Sequence, residues 1–217
     1  MTALSPYRDA IRILFILVKG SISLKQSGDS NLVAVFKGEA RLHACDFWMR
    51  YPDYLADELL DRFERRGDLS DLEAVHSIFS EEEPELRKFP MIRYRFGAYE
   101  KIDNSMSILR SRDLISIARK VENDVLKETD FIIHKSAFSF TTSIEEEWPP
   151  LSWYAKRAEL VADLAGQRGG TELKARQYEQ IEYASTQSGG TIPSISSRVK
   201  KRYEDLILHN TTESATG

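Results

Sequence analysis

The segment 91–140 constrains the fold of this chain more than any other. It begins with a basic, aromatic stretch and continues at 98–112 with apolar residues at helical spacing. Two runs rich in β-branched residues follow, at 114–119 and 130–135, joined by a charged segment at 120–129. A helix followed by a strand, a wing and a second strand is typical of the second half of a winged-helix domain. Such domains bind nucleic acid or other proteins.

The remainder of the chain is predicted to be mostly helical. Capping residues, prolines, glycines and apolar spacing indicate helices at 6–19, 39–50, 52–66, 70–80, 151–165, 171–184 and 198–210. The short apolar run 32–36 fits either a strand or the entry to the next helix. We therefore predict a mainly α fold with a small β-wing, in which a winged-helix-type domain is flanked by N- and C-terminal helices.

The same pattern divides the chain into four predicted parts. Residues 1–31 form an N-terminal helix and a flexible Gly/Ser-rich loop, and 32–140 form the helical, winged-helix core. Residues 141–185 form the C-terminal helices, and 186–217 form a polar, partly disordered tail.

The first helix, 6–19, carries apolar residues around most of its circumference. A helix of this kind must be buried on nearly every side. We expect the chain's own fold to bury it, with a partner protein as a second source of cover.

Bulk composition limits the function classes. Thirty basic and 34 acidic residues give a net charge of −4, so any nucleic-acid contact must come from a local patch. Cys45 is the only cysteine, which excludes an internal disulfide and favours a reducing cytoplasm. The longest apolar run, 13–18, is far shorter than the ~20 residues of a membrane span. We expect a soluble cytoplasmic protein.

Recognised catalytic motifs are missing from the sequence. It has no glycine-rich phosphate loop, no HExxH pair and no GxSxG elbow. His43, Cys45 and Asp46 are the nearest approach to a metal-ligand cluster, but neighbouring helix positions point to different faces. The simpler interpretation places Cys45 in the core and His43 at the surface. We expect no enzymatic activity, no cofactor and no metal.

One basic patch is a candidate nucleic-acid surface, since arginines and lysines on a helix beside a wing can contact phosphates. Its members are Arg93, Arg95, Lys101, Arg110 and Arg112. The alternative is an ordinary solvated surface, because Glu100, Asp103 and Asp113 lie in the same segment.

Two blocks of sequence resemble a known family. The run VFKGEARLHACDFWMRYPDYLADELL at 35–60 and the run RYRFGAYEKIDNSMSILRSRDLI at 93–115 resemble the small middle component of ABC-three-component systems. This is the accessory subunit of Lamassu-type antiphage defence. The matching positions are Glu39, Arg41, Asp46, Phe47, Trp48, Arg50, Pro52, Asp53, Leu55, Ala56, Leu59, Leu60, Arg93, Tyr94, Arg95 and Gly97, with the helix that ends at Arg112.

The resemblance implies a prokaryotic, hetero-oligomeric protein with no catalytic role of its own. Such a subunit sits on an SMC-like, Rad50-related ATPase and helps to hold or license an effector, often a nuclease, when foreign DNA is sensed. DNA contact would be direct or through the complex. The residues we expect to contact a partner are Phe15, Trp48, Arg50, Tyr54 and Leu59.

A second function remains open from the sequence. A free-standing winged-helix transcription regulator would share the pattern of 91–140, but it would bind a DNA site by itself. An accessory subunit would instead need its large partner for stability.

Overall fold

A computed structural model of the chain describes residues 6–24, 31–83, 88–94 and 97–214. Within these ranges the protein is mainly α-helical, with ten α-helices and a small antiparallel sheet of four strands. The predicted mainly α class is confirmed. No helix in the described ranges is long and apolar enough to cross a lipid bilayer.

The helices and strands are numbered in chain order. The helices are α1 (Pro6–Lys19), α2 (Glu39–Arg50), α3 (Pro52–Arg66), α4 (Leu69–Ser80), α5 (Asp103–Ser111), α6 (Lys135–Glu147), α7 (Ser152–Ala165), α8 (Gly170–Glu179), α9 (Ile181–Ser185) and α10 (Ser196–Ser214). The strands are β1 (Ile22–Ser23), β2 (Leu32–Phe36), β3 (Ile92–Tyr94), β4 (Gly97–Tyr99), β5 (Ile115–Glu122) and β6 (Val125–His134).

Helix α1 lies at the centre of the fold. It packs against α2, α5, α6 and α7, and eight of its residues, from Ala10 to Val18, are buried. The predicted burial of this helix is confirmed, and the chain itself supplies the cover for its middle and C-terminal turns. Pro6 starts the helix and Gly20 follows its end, as the sequence predicts.

The four-stranded sheet has the order β1-β2-β6-β5, so the run 32–36 is a strand. Strands β5 and β6 form a long hairpin whose turn residues, Asn123 and Asp124, have φ angles of 51° and 59°. Two central residues with positive φ define the turn type that matches the twist of paired strands. The segment 120–129, predicted as a wing, is therefore paired strand on both sides of this turn, with a shift in register between Lys120 and Val121. It extends beyond β2, which pairs with β6 only at 131–134.

Two predicted elements differ from the structure. Residues 135–147 form helix α6, whereas the sequence analysis predicted a strand over 130–135 and no helix before 151; the buried positions Ala137, Thr141 and Ile144 have helical spacing. Helix α5 spans 103–111 and not 98–112, because Gly97 begins strand β4 at a φ of 105°. The Tyr183 hydroxyl lies where a β-carbon on Gly97 would stand and accepts the Ala98 N–H.

The C-terminal segment is part of the core and not a separate polar tail. Ile192, Ile195 and Val199 are buried in the same apolar cluster as residues from the three preceding predicted parts. Residues 25–30 of the predicted flexible loop and 215–217 of the predicted tail lie outside the described residues. The loop's remaining part includes strand β1.

Side chains at the junction of α2 and α3 hold the C-terminal segment in place. The Tyr51 hydroxyl donates to the Ile192 carbonyl at 3.1 Å and accepts from the Met91 N–H at 2.8 Å. Asp53 accepts hydrogen bonds from the Ile195 N–H at 2.8 Å and from the Ser194 hydroxyl at 2.5 Å. Asp53 is fully buried, so this carboxylate fixes the start of α10 against α3.

The Asp53 contact yields a test of the C-terminal attachment. We expect Asp53→Ala to lower the free energy of unfolding by about 1–3 kcal/mol, because it leaves the buried Ile195 N–H without an acceptor. Hydrogen exchange should rise first in 190–199. Asp205→Ala, at an exposed position on α10, is the control and should have no such effect. Equal protection of 190–199 in both variants would contradict this attachment.

Candidate protein-docking groove

An apolar groove opens where the first turns of α1 extend past the core. One wall is α1, the other is α5, and Phe140 of α6 closes one side; the cavity has a volume of about 450 Å³. Its lining residues are Tyr7, Ala10, Ile11, Leu14, Ile108, Leu109, Arg112, Leu114 and Phe140. We call this set the docking groove.

The groove follows from the position of α1. Tyr7, Ile11 and Leu14 recur at i, i+4 and i+7, so they form one stripe along the helix. Leu14 is buried by the core, Ile11 is half-buried and Tyr7 is 61 % exposed. The stripe therefore passes from core to solvent along about 10 Å of helix.

Its surface is apolar apart from its rim. Phe140 is 45 % exposed although it is a large aromatic side chain, and Arg112 is exposed beside it. A contiguous exposed apolar surface with a charged rim is typical of protein-docking sites. Two helical walls of this length fit one face of an amphipathic helix, which inserts side chains at i, i+3 or i+4, and i+7.

The five residues predicted to contact a partner lie elsewhere. Phe15, Trp48, Arg50, Tyr54 and Leu59 are all buried within the chain's own core. The apolar character that looked surplus in the sequence is taken up by packing among α1, α2 and α3. These five residues are not exposed to a partner in this fold.

Arg50 belongs to a buried ionic cluster between α1 and α2. Arg12 donates from Nε to Asp46 Oδ1 at 2.7 Å, and Arg50 Nη1 lies 3.5 Å from Asp46 Oδ2. Arg12 also pairs with Asp9, and Arg50 with Glu100. Burial opposes ionisation of Asp46, but attraction by Arg12 and Arg50 outweighs it and lowers the pKa of the carboxyl. This cluster fixes the rotation of α1 and thus the position of the docking groove.

The candidate metal ligands on α2 do not converge. Cys45 is in the core, as predicted, and burial raises the pKa of its thiol to about 12. His43 is buried and not at the surface; its ring centre lies 4.9 Å from that of Tyr99. Among the described residues, no group of three His, Cys, Asp or Glu side chains is arranged to hold a metal ion.

The predicted basic patch is only partly assembled. Lys101, Arg110 and Arg112 are exposed on or beside α5. Arg93 is half-buried, donates to the Thr186 carbonyl and lies over the Tyr178 ring, so its role is to hold two segments together. Arg95 lies outside the described residues.

Sequence reasoning missed Tyr7 and Phe140, the two most exposed aromatic groups of the docking groove. The spacing of Ala137, Thr141 and Ile144 could have identified 135–147 as a helix with one buried face. Phe140 does not lie on that face, so its exposure could then have been predicted. No comparable signal identified Tyr7, because α1 is apolar on most sides.

Comparisons of the chain with protein-family models, with curated proteins and with solved structures gave no match.

The ionic cluster generates a prediction about stability. We expect Asp46→Asn to cost about 3–5 kcal/mol at pH 7, since it leaves two buried guanidinium groups without their shared carboxylate. The folded-state pKa of Asp46 lies below its ordinary value of 3.8. Its contribution is therefore present above about pH 4 and is lost as the pH falls through the lowered pKa.

Urea denaturation of both proteins between pH 3 and pH 7 checks this prediction. The difference in unfolding free energy between wild type and Asp46→Asn should shrink at the acid end. Asp205→Asn, at an exposed position, is the matched control and should follow the wild type. A constant difference across the range would contradict the assigned role of Asp46.

Proposed function

We propose that this chain is a non-catalytic accessory subunit of an antiviral or anti-plasmid defence complex. It binds an SMC-like, Rad50-related ATPase and helps to control an effector such as a nuclease. The observation that carries the proposal is the docking groove: Tyr7 and Phe140 expose large aromatic surface beside a helix that is otherwise buried. The sequence resemblance of 35–60 and 93–115 supplies the identity of the partner.

The groove suits an amphipathic helix of the ATPase. Its walls span about two helical turns, which matches three anchors at i, i+4 and i+7 on the incoming helix. Arg112 at the rim offers a partner for a carboxylate on the polar side of that helix. Since coiled-coil ATPases consist largely of such helices, the shape and charge agree with this occupant.

We also infer that α5 and the β5–β6 hairpin form a winged-helix-type unit. In support, α5 packs against β5, and β5 follows it after three residues. The hairpin extends as a two-stranded ribbon beyond the rest of the sheet, which is how a wing stands out from its helix. In the proposed complex the unit is a scaffold for the groove, because α5 is one of its walls.

The partner assignment is tested by purification from the native cell. A tagged chain should co-purify with a coiled-coil ATPase of the SMC class in stoichiometric amount. Co-expression with that ATPase should raise the chain's yield and its melting temperature. A stable homodimer that binds a specific DNA site unaided would instead support the transcription regulator and would overturn the accessory role.

The groove itself is tested by Phe140→Asp. A buried aromatic anchor is worth 2 kcal/mol or more, so we expect binding to the ATPase to weaken by roughly thirtyfold or more. Isothermal titration or a quantitative pull-down measures the change. Ile181→Asp is the matched control, because Ile181 is 75 % exposed and lies on α9, away from the groove lining.

Both variants should have the circular dichroism spectrum of the wild type, since neither position is buried. Equal weakening by Phe140→Asp and Ile181→Asp would show that the effect is not specific to the groove. Unchanged binding of Phe140→Asp would place the ATPase on another surface.

A further inference from the structure

A basic cleft lies between the end of α3, the end of α7 and helix α8. It consists of two adjoining cavities of about 550 Å³ and 230 Å³, which share Gln167 and Arg168 in their linings. The larger cavity is lined by five arginines: Arg62, Arg65, Arg66, Arg168 and Arg176. The smaller one adds Lys37 and Arg41. We call these two cavities the arginine cleft.

Its charge contrasts with that of the whole chain. Seven basic side chains line the cleft against four acidic ones, which are Asp163, Glu172, Glu179 and Glu128. The chain as a whole carries a net charge of −4. Carboxylates outside the lining, those of Asp71, Glu58 and Asp61, balance part of this charge, so the cations that can attract an anion are the ones without an ion pair.

Some of these cations are accounted for by the fold. Arg62 binds Asp71 and Asp163, at 2.5 and 2.6 Å. Arg176 pairs with Glu58, Asp61 and Glu179. Since carboxylates balance their charges, these two arginines stabilise the walls of the cleft and are not available to an anion.

The remaining guanidinium groups of the larger cavity are not balanced in this way. Within the described part of the chain, no carboxylate lies within ion-pair distance of Arg65, Arg66 or Arg168. Arg65 and Arg168 donate to carbonyl oxygens, of Asp61 and of Ala165, and these acceptors carry no net charge. Burial lowers the pKa of Arg168, although the carboxylates of Glu58 and Glu172 act in the opposite direction. An anion in the cleft would therefore meet three guanidinium groups that form no ion pair within the described part of the chain.

The lining also limits what kind of anion fits. None of the described residues that line the two cavities is aromatic, so a nucleobase would find no ring to stack on. Proteins that bind single strands without sequence preference use aromatic side chains on which successive bases stack. A duplex keeps its bases inside and presents a line of phosphates, which arginines spaced along a cleft can contact.

We propose that the arginine cleft binds the phosphate backbone of double-stranded DNA without reading its sequence, with Arg65, Arg66 and Arg168 as the phosphate ligands. This surface is distinct from the docking groove and from the α5 patch of Lys101 and Arg110. The proposal is independent of the ATPase, because the cleft is formed by this chain alone.

The test measures binding of the full-length chain to a fluorescently labelled 30-base-pair duplex by anisotropy, from 50 to 200 mM KCl. We expect the double variant Arg65→Ala with Arg66→Ala to bind about tenfold more weakly or worse at 50 mM. The slope of log affinity against log salt should fall in magnitude by about 2, one for each lost phosphate contact. Both positions are exposed, so the fold should be retained.

Lys135→Ala with Lys156→Ala is the control, since it removes the same charge from exposed positions on α6 and α7 that do not line the cleft. It should retain wild-type affinity and slope. Three results would overturn the proposal: no duplex binding by the wild type at 50 mM KCl, equal weakening by the two double variants, or binding of inorganic triphosphate without binding of the duplex. If the wild-type chain binds the duplex but does not bind the ATPase, the accessory role is refuted and the proposal for the arginine cleft is retained.

Discussion

The pairing of Arg12 with Asp46 is the interaction on which the arrangement of this fold depends. A helix that is apolar on nearly every side has no polar face to set its rotation, so packing alone distinguishes its orientations weakly. Arg12 breaks that symmetry, because a buried guanidinium is tolerated only where a carboxylate meets it. Asp46 on α2 provides that carboxylate at 2.7 Å. Only one rotation of α1 satisfies the pair, and that rotation directs Tyr7 and Ile11 to the groove.

The docking groove and the arginine cleft are both formed by helices of the same packed core. Helix α7 packs on α1 and on α2, and its last turn, with Asp163 and Leu164, lines the arginine cleft. Helix α1 in turn forms a wall of the docking groove. A rigid core of packed helices therefore connects a candidate protein site to a candidate DNA site. Close-packed interiors transmit small displacements, so a partner helix in the groove and a duplex in the cleft would act on the same core.

Much of the helical framework could be predicted from the sequence. Pro6, Pro52 and Gly67 mark helix ends at the positions where the structure has them, and the apolar spacing of α2, α3 and α4 is clear. Helix α6 could not be predicted as easily, since its Phe138 and Phe140 alternate with serines as they would in a strand. The C-terminal segment looked polar because two buried isoleucines, Ile192 and Ile195, stand among serines, glycines and one proline.

The candidate sites were harder to predict than the fold. No single residue indicated that Phe15 and Trp48 are buried while Tyr7, in the same helix as Phe15, remains exposed. Exposure depends on which elements pack together, and that is decided by contacts between residues distant in sequence, such as Arg12 with Asp46. The arginines of the cleft come from α3, α7 and α8 in the same way. In the sequence these arginines lie on separate, highly charged helix faces, and that pattern predicts only solvent-exposed side chains.

Several residues that carry the sequence resemblance have structural roles in this fold. Asp46 and Arg50 form the buried ionic cluster, and Asp53 holds the start of α10. Gly97 makes room for Tyr183. Such residues specify a scaffold, and the contacts with partners are made by sites placed on that scaffold. Partner choice would be set by positions that the core does not constrain, which here are Tyr7, Phe140 and the cations of the arginine cleft.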